Sequence, residues 1–313
     1  MPKYLKTLIM FFALFFIGWL GGPEDYQAQY GHPRLRMRHA RVPVDSAMRD
    51  AWLRCMTRAL GESDAGPEIK SKEIEYKQGD TALVAFLAWD DAVKGKRPGV
   101  LVIHEWWGHN QHARNQALRL AKSGYVGLSI DMYGKGKVAD ATHPKDAQAF
   151  MEATTKDPAV VVARFNAGLE LLKAQPQVDA EKVAAIGYCF GGGVAMAMAR
   201  GGADLDAVAT FHGAIQPDGQ PLAQKGKVKA KILVLTGADD PFVPPAAVAA
   251  FDKEMKDAGA TFEVVAYPGV KHSFTNPDAA KAGMDALKYD ADADTRSWAK
   301  LLEFLGQAFE TKK

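Results

Sequence analysis

The sequence predicts an α/β protein in which helices cover both faces of a mostly parallel central sheet. From Ser71 onward, short apolar runs alternate with amphipathic stretches of helical length. Most of these runs are apolar throughout, as expected for strands that are buried on both faces. The chain has 313 residues, of which 48% are hydrophobic and 24% are charged, so it can bury the core that such a sheet requires.

Each element follows from a local pattern. The Gln78-Gly79-Asp80 turn joins two extended segments and predicts an opening hairpin. The apolar runs predict strands over residues 71–76, 81–89, 99–103, 125–130, 183–187, 207–211, 232–235 and 262–266. Apolar residues at helical spacing predict helices over residues 114–122, 144–155, 159–174, 192–200, 245–258 and 295–309. Residues 69–313 are therefore predicted to form a single domain.

The N-terminal residues are predicted to direct the protein to or across a membrane. Lys3 and Lys6 precede an apolar run at residues 8–20, which indicates a signal peptide at residues 1–22 and an exported protein. No A-x-A cleavage site follows and arginines lie just downstream, so an uncleaved membrane anchor is the alternative, and the side of the membrane stays open. A misassigned start codon is a third alternative. Residues 23–68 are interpreted as a linker, with a partner-binding segment as the alternative.

Charge and cysteine usage argue against two classes of protein. Lysine and arginine total 39 against 37 aspartate and glutamate residues, so the net charge of +2 offers no field for nucleic acid, and the expected partner is a small molecule. The two cysteines, Cys55 and Cys189, lie in unrelated settings and do not form the dense pattern of a disulfide-stabilised domain.

The most specific motif surrounds Cys189. A predicted strand runs directly into Gly187-Tyr-Cys-Phe-Gly191 and then into a helix, which is the nucleophile elbow of α/β-hydrolases with cysteine at its centre. The flanking glycines permit the sharp turn, and the N-terminus of the helix stabilises a thiolate. We therefore predict that Cys189 is an accessible nucleophile. The alternative is that it is a small buried hydrophobic residue.

Two further residues complete a predicted catalytic triad. Asp240 and His272 each follow a predicted strand, so both are expected at the carboxyl edge of the sheet beside Cys189. The order nucleophile, acid, histidine is that of α/β-hydrolases. His272 would act as the base, with a non-catalytic loop histidine as the alternative. Asp240 is preferred to Asp239 because of its place before Pro244, although it could instead cap the following helix.

Together these motifs resemble the dienelactone hydrolase family over roughly residues 71–307. The resemblance rests on His104-Glu-Trp-Trp-Gly-His-Asn110, on the segment around Cys189, on Asp240-Pro-Phe-Val-Pro244 and on His272-Ser-Phe274. It implies an α/β-hydrolase fold and a carboxylic ester hydrolase related to carboxymethylenebutenolidase. No cofactor is expected.

The resemblance also implies roles for three residues near the nucleophile. It implies that Glu105 contacts the resting Cys189 and moves away when substrate binds, and that the backbone N–H groups of Phe190 and Trp106 hold the oxyanion. From the residues alone, Glu105 already requires solvation or a partner, because it ends an apolar run; a structural ion pair is the alternative to a site role.

The substrate pocket departs from the family pattern. Members that cleave dienelactone grip a carboxylate with two arginines, whereas this chain has Lys135 in the region of the first and Asn276 in that of the second. The substrate therefore need not be an anion. The loop that contains Tyr133 and Lys135 lacks the spacing of a phosphate-binding loop and is predicted to line the pocket.

Other polar and aromatic residues have weaker patterns. His104, His109 and His112 straddle a predicted strand end and helix start and do not share one helix face, so no metal site is predicted. Trp106, Trp107 and His212 follow or end strands, and they either wall the pocket or pack in the core; these two interpretations stay open.

The sequence therefore predicts hydrolysis of a small ester or lactone through an acyl-enzyme on Cys189. Two other functions stay open. One is a catalytically silent α/β-hydrolase domain tethered at the membrane, because the fold does not guarantee the chemistry. The other is acyl transfer to an acceptor other than water.

Overall fold

A computed structural model describes residues 67–216 and 222–310 of the protein, which belong to a compact unit that begins at Pro67. The predicted signal peptide or anchor at residues 1–22 lies outside the described residues, as does the predicted linker up to residue 66, and both stay predictions. Within the described ranges, none of the helices has the length and apolarity needed to cross a bilayer.

The described residues contain one eight-stranded sheet in the order β1-β2-β4-β3-β5-β6-β7-β8. Strands β3 to β8 are parallel to one another, whereas β2 is antiparallel to both β1 and β4. The strands are β1 (Ile69–Gln78), β2 (Thr81–Asp90), β3 (Arg97–Ile103), β4 (Val126–Ile130), β5 (Val178–Tyr188), β6 (Ala207–Phe211), β7 (Lys231–Gly237) and β8 (Phe262–Tyr267).

Helices cover both faces of this sheet, which confirms the predicted fold class. The helices are α1 (Gln111–Lys122), α2 (Pro144–Thr155), α3 (Pro158–Lys173), α4 (Phe190–Arg200), α5 (Pro245–Ala258) and α6 (Ala291–Glu310), with a short 3₁₀ turn at Ala279–Ala282. Helices α3, α4 and α5 contribute to the core on one face, and α1 and α6 to the core on the other.

The central strands are buried on both faces, as their continuous apolar sequences predict. In β3, Leu101 and Ile103 face one core while Val100 and Val102 face the other, and all four are fully buried. Because these strands offer apolar side chains to both layers of helices, the sheet is a rigid base for the loops at its edges.

Helices α1 and α6 begin three and four residues earlier than apolar spacing predicts, because polar caps set their first residues. Helix α1 starts at Gln111, where the Asn110 side chain accepts a hydrogen bond from the N–H of Ala113. Helix α6 starts at Ala291, and the Asp290 side chain accepts one from the N–H of Ala293. Periodicity alone does not detect these polar first turns.

The contact between α1 and β4 depends on a glycine. A Cβ atom at Gly127 would lie 2.6 Å from the carbonyl oxygen of Ala117 in α1. We expect Gly127→Ala to lower the free energy of unfolding by about 1–3 kcal/mol, because the helix must move off the sheet. Gly306→Ala in α6 is the matched control, since nothing lies within 4 Å of its Cβ position. It should raise stability by up to about 1 kcal/mol. Equal urea midpoints for the two variants would contradict this account of the packing.

Candidate active site

Cys189 lies in the sharp turn between β5 and α4, half-buried and with a backbone φ of +51°. A side chain at Gly187 would place its Cβ 2.0 Å from the carbonyl oxygen of Gly191, so the turn closes only with glycine there. A non-glycine residue at positive φ is strained, and such strain is typical of functional sites. The turn therefore presents Cys189 at the carboxyl edge of the sheet.

The same turn packs against the end of β3. The N–H of Gly191 donates to the carbonyl oxygen of His104 at 3.1 Å, and a Cβ on Gly191 would lie 2.4 Å from the carbonyl oxygen of Ile103. This contact brings the residue after Cys189, Phe190, beside the segment that contains Trp106. Among the described residues, neither the N–H of Phe190 nor that of Trp106 donates a hydrogen bond. Both donors are thus free to bind a ligand oxygen.

His272 and Asp240 form a buried pair at this edge. The Nδ1 atom of His272 lies 2.7 Å from Oδ2 of Asp240, and the other oxygen of Asp240 accepts from the N–H of Phe242 at 2.8 Å. Asp240 is 2% exposed, whereas the neighbouring Asp239 is exposed to solvent. Of the two candidate acids in the sequence, the structure therefore brings Asp240 to the histidine.

His272 is electrostatically coupled to Cys189. Burial acts to lower the pKa of His272, but the negative charge on Cys189 and the hydrogen bonds with Asp240 and Cys189 outweigh it and raise the pKa to about 10. The imidazole of His272 therefore interacts with both Cys189 and Asp240.

Glu105 is tied to the His272 loop and not to Cys189. Its Oε1 accepts from the Ser273 hydroxyl at 2.9 Å, and its Oε2 accepts from the Asn276 amide at 2.6 Å. Among the described hydrogen bonds, none joins Glu105 to Cys189, so the resting contact implied by the family resemblance is not formed here. The reason is that the loop after β8 supplies two neutral donors that satisfy both oxygens of this buried carboxylate.

The His272 loop is held from several sides. His272 forms an isolated bridge with Leu287, and Ser273 has a positive φ of +55°. His212, which follows β6, packs its ring on that of His272 with 5.0 Å between centroids, and its Nε2 lies 2.9 Å from the Thr275 hydroxyl. Burial and the charge of His272 hold the pKa of His212 well below its usual value.

His212 therefore packs behind His272 and does not wall an open pocket. It is fully buried and also has a positive φ, of +40°. The sequence left its place open between pocket and core, and no pattern in it predicts the contacts to His272 and Thr275. The position directly after a parallel strand, at the same edge as Cys189, is the one signal that could have found it.

Lys135 and Tyr133, which the sequence places in one pocket loop, have different surroundings in the structure. Lys135 is exposed and forms an ion pair with Glu75 of β1. Tyr133 is buried, and its ring lies 5.4 Å from that of Phe190 and 4.7 Å from that of His104 between centroids. Asn276, in the region of the second arginine, uses its amide on Glu105.

The histidines before and within α1 have separate partners. His104 accepts from the N–H of Met132 at Nε2, which ties the end of β3 to that of β4, while Nε2 of His109 lies 2.8 Å from the Ser129 hydroxyl. The ring of His112 packs on that of Tyr188. Burial lowers the pKa of each of the three, that of His109 to about 3. In the described part of the chain, these three do not converge on one point.

The chain that forms this site is similar in sequence to a known family of enzymes. The family model described as the dienelactone hydrolase family matches residues 83–309, which is more than half of the chain. A second model, bacterial-like globin, matches residues 2–81, less than half of it. Only residues 67–81 of that second match belong to the described part of the chain, where they form a β-strand and a turn.

Solved structures and curated relatives agree with the first match. A dienelactone hydrolase-like promiscuous phosphotriesterase, P91, from metagenomic libraries is 36% identical, with a TM-score of 0.73 over 77% of this chain and 99% of that one. A structure titled m3DLH is 38% identical, with the same TM-score and coverage. A protein of Methylorubrum extorquens named "Putative carboxymethylenebutenolidase" is 28% identical over 64% of this chain and 71% of its own length. The chain therefore belongs to the dienelactone hydrolase family and is a hydrolase with the α/β-hydrolase fold.

Proposed function

We propose that this protein hydrolyses a small carboxylic ester or lactone, with Cys189 as nucleophile and His272 and Asp240 as its proton-transfer partners. The observation that carries the proposal is the buried His272–Asp240 pair, 2.7 Å apart, coupled to a half-buried cysteine at a strained turn. The carboxymethylenebutenolidase name of a relative and the hydrolase family support the same reaction class.

The reaction proceeds in two halves. The Cys189 thiolate attacks the carbonyl carbon and forms a C–S bond, and the negative charge moves to the carbonyl oxygen. When the C–O bond breaks, His272 gives its proton to the leaving oxygen, and a thioester to Cys189 remains. A water molecule then loses a proton to His272 as it attacks the thioester, which releases the acid and restores the thiolate with the protonated imidazole.

The two free N–H groups stabilise the charge on the carbonyl oxygen. Phe190 and Trp106 come from different segments that the contact between Gly191 and the end of β3 holds together. Because these donors are fixed before substrate arrives, they need no reorganisation when the tetrahedral intermediate forms.

Substitution of Cys189 tests its proposed role as the nucleophile. Cys189→Ala should lower kcat/KM for p-nitrophenyl acetate by roughly 1,000-fold or more, because the covalent route is lost. Turnover is measured in purified protein by release of p-nitrophenol. Unchanged turnover in this variant would remove the proposed function.

A matched pair of acids is the control for this prediction. Asp240→Asn should lower kcat by about 100-fold or more, because His272 loses the carboxylate that orients and charges its ring. Asp239→Asn should retain full activity, because the Asp239 side chain is exposed while Asp240 bears the contact. Equal losses in both variants would show that general charge, and not this contact, supports catalysis.

The second prediction concerns the proton on His272. Because the charge on Cys189 favours the protonated ring, Cys189→Ala should lower the pKa of His272 from its value of about 10. The measurement is an NMR titration of ¹³C-labelled histidine rings over a range that extends to about pH 11. The wild-type ring should stay charged until the pH approaches 10. An identical midpoint in the variant would contradict the coupling.

Charges around Cys189 favour an uncharged substrate. Glu105 is 2% exposed, and its carboxylate accepts hydrogen bonds only from the neutral donors Ser273 and Asn276. Within the described residues, no lysine or arginine forms an ion pair with it. With Cys189 as thiolate and Asp240 as carboxylate, the single charge of His272 leaves the site negative. A carboxylate on the substrate would therefore be repelled.

Two esters test this preference for an uncharged substrate. We expect kcat/KM for p-nitrophenyl butyrate to exceed that for mono-p-nitrophenyl succinate by about tenfold or more, since tenfold corresponds to only about 1.4 kcal/mol of repulsion. The two esters have acyl chains of equal carbon number and differ by one carboxylate. Glu105→Gln should narrow the ratio, because it removes the negative charge at similar size. A faster reaction with the succinate ester in the wild type would contradict the charge argument.

A further inference from the structure

The hydroxyl of Tyr133 is a buried polar group without a partner. Tyr133 is 1% exposed, and its hydroxyl has no hydrogen bond within the described part of the chain. Native proteins rarely leave a buried hydroxyl unpaired, because its desolvation is then uncompensated. We expect such a hydroxyl at the edge of an active site to form its hydrogen bond with an atom of a bound ligand.

The side chain is held in place without help from this hydroxyl. The N–H of Tyr133 donates to Oδ1 of Asp131 at 2.7 Å, and the Arg164 guanidinium donates to the carbonyl oxygens of Met132 and Tyr133. The ring packs edge-on against His104 and beside Phe190, at centroid distances of 4.7 and 5.4 Å. The hydroxyl is thus positioned by the loop and the ring and is free to donate to another molecule.

The strand order places Tyr133 and His272 on opposite sides of Cys189. Along the carboxyl edge, Tyr133 follows β4, Cys189 follows β5, and His272 follows β8, with β3 lying between β4 and β5. The imidazole that serves the leaving oxygen therefore approaches from one side. Tyr133 approaches from the side of Phe190 and Trp106, whose N–H groups receive the carbonyl oxygen in the proposed reaction.

The charge on Cys189 contributes to the pKa of the Tyr133 hydroxyl. Burial first, and then the negative charges of Cys189 and Asp131, raise the pKa of Tyr133. The hydroxyl therefore keeps its proton throughout the working range of the enzyme and stays a donor. Its response to Cys189 also places it within electrostatic range of the reacting sulfur.

We propose that the Tyr133 hydroxyl donates a hydrogen bond to the substrate carbonyl oxygen as that oxygen becomes negative, as a third donor beside the N–H groups of Phe190 and Trp106. This role rests on the proposed function of Cys189. It differs from that of a pocket wall, because a donor to the developing oxyanion stabilises the transition state more than the bound ester.

Tyr133→Phe tests this role, because it removes only the unpartnered oxygen. We expect kcat for p-nitrophenyl acetate to fall by about 10- to 100-fold with KM little changed, as for the loss of one oxyanion donor. The unfolding midpoint should be equal to or above that of the wild type, because no hydrogen bond within the protein is lost.

Tyr188→Phe is the matched control. Tyr188 is also fully buried with an unpartnered hydroxyl, but it packs in the core on the other face of the sheet, against Phe211. Burial raises its pKa, with smaller effects of Arg119, Asp294 and Glu105 and none of Cys189. Loss of its hydroxyl should leave kcat unchanged. A decrease equal to that of Tyr133→Phe would overturn the proposal, since burial alone would then explain both.

A ligand that mimics the oxyanion gives a second measurement. A trifluoromethyl ketone adds to the cysteine thiolate, forms a C–S bond and leaves the negative charge on the former carbonyl oxygen. Its affinity should fall in Tyr133→Phe by a factor similar to the decrease in kcat. Tyr133→Phe could keep the kcat and the ketone affinity of the wild type while Cys189→Ala loses activity. That result would overturn the role of Tyr133 alone. Activity retained in Cys189→Ala would overturn the proposed function and this role together.

Discussion

The close packing of the Cys189 turn against the end of β3 is the constraint on which the site depends. Gly191 donates to the His104 carbonyl and leaves no room for a side chain beside Ile103. That contact fixes the cysteine at positive φ, leaves the N–H of Phe190 without an acceptor and sets it beside Trp106. Fully buried parallel strands on either side keep the turn from relaxing, so the strain is retained at Cys189.

Strain and charge are concentrated in the same few loops. The described non-glycine residues with positive φ are Cys189, His212 and Ser273, and each follows a strand at the carboxyl edge of the sheet. Ser273 also donates to Glu105, while His212 packs on the ring of His272. The His272 loop is thereby tied both to the segment that carries Trp106 and to the end of strand β6.

The sequence predicted the elements and the residues of the proposed triad because their signals are local. Strand β6 and helices α2 and α5 have the predicted bounds, since apolar runs and periodicity define them directly. Partners that come from distant segments were not predictable in the same way. The ion pair of Lys135 with Glu75 and the bonds of Glu105 to Ser273 and Asn276 each join residues far apart in the chain. Only the folded sheet brings them together.

The difference between local signals and distant contacts also separates the proposed catalytic residues from the residues that affect the choice of substrate. The proposed catalytic groups lie on short segments that directly follow parallel strands, where sequence order alone determines which side chains meet. The groups bonded to Glu105 belong instead to contacts between loops, which sequence order alone does not determine. Glu105 is stabilised here by an amide and a hydroxyl, so its negative charge stays in the site and not in an ion pair. A chain can therefore keep the motifs of its family around the proposed nucleophile and still present a different electrostatic surface to its substrate.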